Sequence, residues 1–264
     1  MIIGASQNDY EKILKYIDDK FYKCIYLYLD LKQYGFENEN VKCWIQIDNN
    51  VITAVVLKYY TGMHVFSNGK YEINEIYNLI IQENPAIVCA EKCIIEDLSK
   101  KLNDIYSEEY GWVRCLSKIK YESDEDVKQA TKDDFKQIAQ LLYEDDDIGS
   151  SYELDSLEKQ LIERNEQKFV RNYVIRNHHG NVISHASTGA EDEKLAMLNY
   201  VITHPEHRNK GLAQRVCKVI CAELIKEGKN VYLINYSNES TKLYDKIGFK
   251  ICCEWGKLYK DLKK

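Results

Sequence analysis

Residues 201–213 read VITHPEHRNKGLA and form the most informative segment of the chain. It comprises the end of an apolar strand, a stop at Pro205, a short basic loop with one glycine, and a small residue just inside a helix. Free N–H groups at a helix start, together with the helix dipole, form a site for an anion. Gly211 lets the backbone approach such a ligand, and Arg208 and Lys210 add positive charge. The chemistry of this stretch fits a pyrophosphate.

Two common phosphate-binding motifs do not match this stretch. It is not a Walker loop, because no Gly-Lys-Ser/Thr follows four spacer residues. It is not a dinucleotide fingerprint, because it contains one glycine where that fingerprint has three.

The loop and a later segment resemble the motifs of one enzyme family. Arg208-x-x-Gly211-x-Ala213 is similar to the Arg/Gln-x-x-Gly-x-Gly/Ala loop of the GNAT superfamily of acyl-CoA N-acyltransferases. Residues 243–249, LYDKIGF, resemble that family's Leu-Tyr-x-Lys-x-Gly-Phe signature on its fourth helix. Two motifs in the family's order, one strand apart, rarely arise by chance. The resemblance covers residues 119–264.

The resemblance implies a binding site for coenzyme A, with acetyl-CoA as cosubstrate and no metal. The pyrophosphate would lie on the loop residues Arg208, Asn209, Lys210, Gly211, Leu212 and Ala213. Main-chain groups of Val201 and Thr203 would pair with the pantetheine arm in the manner of an added strand. A backbone N–H within residues 199–202 would hold the oxyanion.

Tyr244, in the second motif, is the candidate catalytic acid. The resemblance implies that it points at the coenzyme A sulfur, and a phenol with a pKa near 10 can donate a proton to a leaving thiolate. The competing interpretation is that Tyr244 packs its ring under the last strand, as one of 21 tyrosines. The intact motif around Tyr244 favours the catalytic role.

Two positions, one within the loop and one ahead of the second motif, depart from the family pattern. Asn209 stands where the family often has glycine, and asparagine tolerates a positive φ better than most residues. The family's asparagine, seven residues before the signature tyrosine, is replaced by Ser237. Asn238 follows it and is the candidate cofactor contact at that helix start.

The sequence assigns no general base. Asp145, Asp146 and Asp147 lie between two helices that border the acceptor pocket in the family, but each is more typical of a solvated acidic loop. His185 lies in a predicted strand and is interpreted as a core residue with its hydrogen bonds satisfied. The other histidines of this half lie in turns and loops and receive no catalytic role.

The pattern of apolar residues predicts a similar order of elements in both halves: two helices, three strands, a helix, a strand and a helix. In the first half the predicted helices cover residues 8–18, 25–32, 73–81 and 94–102, and the predicted strands 43–47, 51–60, 63–66 and 86–89. In the second half the helices cover residues 131–142, 154–164, 211–226 and 240–247, and the strands 169–176, 182–187, 195–202, 231–234 and 249–260.

The polar and acidic segment 117–126 is the predicted seam between two domains, 1–118 and 119–264. The first domain has no Arg-x-x-Gly-x-Ala sequence, because the corresponding segment 66–71 reads FSNGKY. The expected fold class is α/β with a mixed sheet: two tandem GNAT-like domains, each a mostly antiparallel twisted sheet flanked by helices. The first would be a degenerate domain without a pyrophosphate loop.

Composition restricts the partners and the compartment. The chain has 264 residues, of which 45% are hydrophobic. With a net charge of −6, it is not expected to bind nucleic acid. Its nine cysteines include no Cys-x-x-Cys pair, so free thiols in a reducing cytoplasm are expected, with Cys217 and Cys221 in the core. The start of the chain does not resemble a secretory signal, and the longest apolar run has strand length, so no membrane span is expected.

The expected function is N-acetyltransferase activity: transfer of an acetyl or short acyl group from acyl-CoA to a primary amine of a small molecule by direct attack. Two alternatives stay open. One is a regulatory module that binds acyl-CoA with weak catalysis, and the other is an acetyltransferase of protein amines. The protein is expected to be a monomer or a homodimer.

Overall fold

The computed structural model describes residues 1–120, 123–145, 153–166 and 170–260, without the side chains of residues 238 and 239. These residues form two compact units. The first contains residues 1–113 and 251–260, and the second contains residues 114–250. The first unit therefore includes the last strand of the chain, which the sequence-based boundary at residue 118 assigned to the second domain.

The first unit consists of four helices and a sheet. Its helices are α1 (Tyr10–Ile17), α2 (Ile25–Tyr34), α3 (Ile73–Glu83) and α4 (Lys92–Leu102). Its strands are β1 (Ile2–Gly4), β2 (Val41–Asp48), β3 (Val51–Tyr59), β4 (Gly62–Phe66), β5 (Ile87–Glu91), the larger part of β6 (Ser107–Leu116) and nearly all of β12 (Lys250–Tyr259). The strand order is β1-β2-β3-β4-β5-β12-β6, and β4 and β5 run parallel.

Both faces of this sheet are buried, which explains the apolar run in β3. Val55 and Leu57 pack with α1 and α2, whereas Ala54 and Val56 pack with α3 and α4. Successive side chains of a strand point to opposite faces, so covering both faces requires apolar residues at every position. The turn before β3 is the predicted hairpin, with Asn49 at φ 49° and Asn50 at φ 64°.

The second unit repeats the arrangement. Its helices are α5 (Phe135–Tyr143), α6 (Leu154–Glu166), α7 (Leu212–Lys226) and α8 (Asn238–Ile247). Its strands are β7 (Val127–Gln129), β8 (Asn172–Arg176), β9 (Val182–Glu191), β10 (Leu195–Thr203), β11 (Asn230–Asn235) and the end of β6. The strand order is β6-β11-β10-β9-β8-β7, and β10 and β11 run parallel. Helices α7 and α8 cover one core and α5 and α6 the other.

The predicted helices and strands are confirmed, with ends that differ by a few residues. The start of the predicted strand 169–176 lies outside the described residues, and β8 begins at Asn172. Thr131 and Asp134 form the predicted capping box, in which Asp134 accepts from the Thr131 N–H at 2.6 Å. The short strands β1 and β7 and the longer β6 were not predicted. Across the described ranges, no helix has the length and apolar character that crossing a membrane requires.

Candidate functional site

The segment between β10 and α7 forms a tight loop whose backbone enters the left-handed region twice. A short 3₁₀ turn covers Pro205–His207, and Asn209 and Gly211 then adopt φ values of 62° and 76°. Asparagine and glycine are the residues that accept this conformation with least strain. Asn209 thus keeps the loop geometry at the position where the GNAT pattern often has glycine, as predicted.

The backbone N–H groups of residues 209–213 are available for a ligand. The first bond into α7 runs from the Arg215 N–H to the Gly211 oxygen at 3.1 Å, and no N–H of residues 209–213 donates to the described part of the chain. A Cβ atom at Gly211 would meet no heavy atom within 4 Å. The helix start is therefore open, and its N–H groups and dipole favour an anion.

The two basic side chains of the loop fold back on the residues that precede it. Arg208 donates from Nε to the Thr203 oxygen at 3.1 Å, and Lys210 donates to the Glu206 oxygen at 3.2 Å. Arg208 also lies 3.5 Å from an oxygen of Asp145. The Arg208 side chain is half-exposed, so it ties the loop to the strand end and still contributes positive charge at the surface.

Strand β10 carries a bulge just before the loop. Asn199 pairs with Ser187 and Ile202 pairs with His185, so β10 contains one more residue than β9 between these two pairs. Tyr200, within the bulge, has φ 46°. A bulge leaves backbone groups out of the ladder and re-aims them. The predicted oxyanion segment 199–202 coincides with this irregularity.

A gap opens beside the bulge, between β10 and β11. Their parallel pairing ends at Met197 and Tyr232, although β11 continues to Asn235. The His204 N–H donates to the Ile183 oxygen on the β9 side. Because alternate residues of a strand direct their N–H groups to opposite edges, those of Thr203 and Val201 point away from β9. The edge predicted to pair with pantetheine is thus free of a strand partner in the described chain.

Tyr244 lies on α8 with little solvent exposure. Its side chain is 8% exposed, and its ring meets the Phe249 ring edge-on at a centroid distance of 5.7 Å. Burial raises the pKa of Tyr244 above its ordinary value, so the phenol stays protonated. Its hydroxyl donates to no residue of the described ranges. The position is compatible with packing, and the hydroxyl remains available as a proton donor.

A buried arginine ties α8 to the end of β11. Arg114 is 2% exposed; it donates to the Asn235 side chain at 2.7 Å and to the Asp245 carboxylate at 2.6 Å. Asn235 in turn donates to Thr241 at 2.9 Å. This network was not predicted, and its only signal in the sequence is an arginine within the apolar segment 111–116. The network fixes the helix that carries Tyr244.

At the start of α8, a serine stands at the position where the family pattern has asparagine. Ser237 occupies the N-cap, and its Oγ accepts from the Ser240 N–H at 3.1 Å. Asn238 is the first residue of the helix, and its side chain lies outside what the structure describes. A cofactor contact by Asn238 stays a prediction.

Two other groups of candidates are core residues, as interpreted from the sequence. His185 is fully buried, and both ring nitrogens have hydrogen-bond partners. Burial lowers the pKa of His185 to about 4, so the ring is neutral. Burial raises the pKa of the fully buried Cys217 to about 12 and also raises that of Cys221, which leaves both as unreactive thiols.

The acidic and histidine-rich loops contribute little to the site. Asp145 lies beside Arg208, and the neighbouring candidates Asp146 and Asp147 lie outside the described residues. On the turn before the loop, His204, Glu206 and His207 each have a potential metal-ligating atom, and these three atoms lie within 4.8 Å of one another. These three side chains are partly or largely exposed.

Buried histidines predict a pH dependence of stability. Burial lowers the pKa of both His64 and His185 to about 4, against about 6.5 in an unfolded chain. The unfolded state therefore binds more protons between these values, and the free energy of unfolding should fall as the pH decreases from 6.5 to 4. The His185 contribution, about 3 kcal/mol, is fully present above pH 6.5. Urea unfolding at several pH values tests this, and a constant free energy across the window would contradict it.

Comparison with known proteins agrees with this geometry. The profile of the family described as FR47-like protein matches residues 179–256, and no match was found among curated proteins. A GNAT-family acetyltransferase from Colwellia psychrerythraea is 14% identical with a TM-score of 0.61, covering 98% of this chain and 99% of that one. A GCN5-related N-acetyltransferase from Sphaerobacter thermophilus is 12% identical with a TM-score of 0.64, covering 98% and 95%.

A tandem GNAT protein from the clavulanic acid biosynthesis pathway is also similar. It is 11% identical with a TM-score of 0.59, and the match covers 98% of this chain and 97% of that one. At sequence identities this low, the structural similarity establishes the fold and no more. The similarity extends over both units. The chain therefore has the fold of the GNAT superfamily.

Proposed function

We propose that this protein is an N-acetyltransferase that transfers an acetyl or short acyl group from acyl-CoA to a primary amine of a small molecule by direct attack. One observation carries the proposal: the open N–H groups of residues 209–213 adjoin the free edge of β10 beside its bulge. The anion site lies next to the unpaired strand edge. This arrangement suits a ligand that has a pyrophosphate followed by an extended arm with amide groups.

In the proposed reaction, residues of the second unit bind acyl-CoA and assist transfer of its acyl group. The N–H groups of residues 209–213, with Arg208 and Lys210 nearby, hold the pyrophosphate. The main chain of Val201 and Thr203 pairs with the pantetheine amides. Bound acyl-CoA supplies an activated acyl group as a thioester. The neutral amine attacks the thioester carbon, so that a C–N bond forms and the C–S bond breaks, while an N–H of the bulge stabilises the charge that develops on the thioester oxygen. Tyr244 gives a proton to the leaving sulfur, and the proton that the amine loses passes to water, from which Tyr244 is reprotonated.

A binding module without turnover is the second candidate. The observation that favours it is the packing of Tyr244 against Phe249 in the core. If that packing is the whole role of Tyr244, the leaving thiolate lacks its proton donor, and the site would bind acyl-CoA without efficient transfer.

A thiol-release assay with acetyl-CoA and pooled small amines distinguishes the two candidates. The transferase predicts free coenzyme A in amounts that depend on the amine, with an acylated amine identified by mass spectrometry. Binding of acetyl-CoA without amine-dependent release over a broad panel would favour the module. Transfer to protein lysines with none to small amines would identify the acceptor as protein.

The first unit is proposed to be a degenerate domain that does not bind coenzyme A. In the segment after β4, the Asn68 N–H donates to the Tyr16 hydroxyl at 2.9 Å and the Gly69 N–H contacts Ser67 Oγ at 3.2 Å. The Glu72 N–H donates to the Gln46 side chain at 2.8 Å. These donors are already used, and Glu72 adds negative charge at the N-cap of α3, which disfavours an anion.

One molecule of coenzyme A per chain is the expected stoichiometry. Only the second unit has both the Arg208-x-x-Gly211-x-Ala213 loop and unoccupied N–H groups there. Calorimetric titration with acetyl-CoA measures the ratio directly. Two molecules per chain would refute the assignment of the first unit as degenerate.

A further inference from the structure

Three side chains of β9 hold the irregular segment of β10. Each carries a polar atom that contacts a backbone oxygen in or beside the bulge, and each is at most 2% exposed. The contacts join Ser184 Oγ to the Ile202 oxygen at 3.1 Å, His185 Nδ1 to the Tyr200 oxygen at 3.0 Å, and Ser187 Oγ to the Asn199 oxygen at 3.3 Å. We name Ser184, His185 and Ser187 the β9 clamp.

The β9 clamp supplies hydrogen bonds to backbone oxygens at the bulge, where the regular hydrogen bonding between β9 and β10 is interrupted. A buried carbonyl without a partner is costly, and a bulge removes ladder hydrogen bonds. Tyr200 is also a bulky residue in the left-handed region, a conformation that persists only when its surroundings impose it. The three polar side chains of the β9 clamp are thus explained by the backbone oxygens that they contact.

His185 contributes the central contact as a neutral ring. A carbonyl oxygen only accepts, so the ring proton lies on Nδ1 and is donated to Tyr200. Nε2 is then an acceptor, and the atom of the fully buried Asn172 that lies 3.1 Å from it is Oδ1, while Asn172 Nδ2 donates to Asn165 Oδ1 at 3.3 Å. Two acceptors form no hydrogen bond, so a neutral ring with its proton on Nδ1 requires the Asn172 amide to be turned over, which exchanges its oxygen and nitrogen. Asn172 Nδ2 then donates to Nε2 and fixes the ring and its tautomer.

The geometry of the peptide bond transmits this contact to the site. The Tyr200 carbonyl and the Val201 N–H belong to one trans peptide group, so they point in opposite directions. Holding the carbonyl at His185 turns the Val201 N–H away from β9. In the same way, the bond from Ser184 to the Ile202 oxygen turns the Thr203 N–H away from β9.

We propose that His185, supported by Asn172, is a positioning residue that fixes the Val201 N–H at the open edge of β10, where it stabilises the charge developing on the thioester oxygen. The proposal rests on the acyl-transfer function proposed above. It predicts that the hydrogen bond from His185, and not only its volume, determines the rate of transfer.

Two substitutions separate the hydrogen bond from the volume. His185→Leu removes the donor, whereas His185→Asn can place an N–H near the position of Nδ1. We expect kcat to fall roughly 10²-fold in His185→Leu, the scale of losing one oxyanion donor, and to recover largely in His185→Asn. The KM for acetyl-CoA should change much less than kcat. His64→Leu, at another buried histidine but in the first unit, is the control for replacing a buried imidazole by leucine and should retain wild-type kcat.

A crystal structure of His185→Leu gives a readout that is independent of turnover. We expect the peptide between Tyr200 and Val201 to rotate, with Tyr200 leaving the left-handed region. An unchanged peptide, a wild-type kcat in His185→Leu, or a loss that His185→Asn does not restore would each overturn the proposal. If the wild-type protein transfers no acyl group, the proposed function fails, and the peptide orientation in the variant still decides whether His185 holds the bulge.

Discussion

Replacement of Gly211 by Glu is expected to abolish binding of acetyl-CoA while the fold is retained. The new carboxylate would stand among the free N–H groups of residues 209–213, where the pyrophosphate is proposed to lie. At about 4 Å and an effective dielectric constant near 20, one like-charge contact costs about 4 kcal/mol, a loss of affinity of roughly 10³-fold. Space is not the obstacle, because no heavy atom lies within 4 Å of a Cβ at this position. Calorimetric titration measures the effect.

Gly228→Glu is the matched control for this substitution. Gly228 follows the other end of α7, has φ 87°, and likewise has no heavy atom within 4 Å of a Cβ. The backbone strain of a left-handed glutamate is thus the same in both variants, and only the first places a charge at the helix start. Gly228→Glu should bind acetyl-CoA as the wild type does. Wild-type affinity in Gly211→Glu would show that the cofactor lies elsewhere.

Tyr244→Phe is expected to lower kcat by roughly 10²-fold or more, the usual scale for general acid catalysis. The substitution keeps the ring on Phe249 and removes only the hydroxyl, which donates to none of the described residues. Affinity for acetyl-CoA should change little, because one hydroxyl contributes about 1 kcal/mol to binding. Because the pKa of Tyr244 is raised, no loss of rate from its deprotonation is expected below pH 10. Steady-state kinetics at saturating acetyl-CoA provide the test.

Tyr173→Phe controls for the loss of a buried phenol. Tyr173 lies on β8, and its hydroxyl donates to Glu223 near the far end of α7 from Gly211. This variant should lose some stability and keep its kcat. If Tyr244→Phe behaves in the same way, with chemistry shown to be rate-limiting, Tyr244 packs the core and takes no part in proton transfer.

The conformation of the loop before α7 could be predicted because its determinants are local. A basic turn, residues that accept a positive φ, and a small residue in the first helical turn all lie within residues 208–213. The same holds for the end of α8 at Gly248, whose φ is 112°. Such features depend on backbone chemistry and require no knowledge of distant residues.

The bulge, the gap and the β9 clamp could not be predicted, because each depends on pairing between separate strands. The end of pairing at Met197 and the extra residue near Tyr200 are properties of register. His185 was identified as a satisfied core residue, but nothing in the sequence shows that its acceptor is a bulge carbonyl. The inclusion of β12 in the first unit is likewise a matter of strand order between distant segments.

A crystal structure of the full chain with coenzyme A tests the proposed binding site directly. We expect one molecule, with its pyrophosphate on the N–H groups of residues 209–213 and its pantetheine arm along the free edge of β10 at Val201 and Thr203. The thiol should lie within hydrogen-bond reach of the Tyr244 hydroxyl. A molecule bound at segment 67–72 of the first unit, or anywhere away from Gly211, would contradict it.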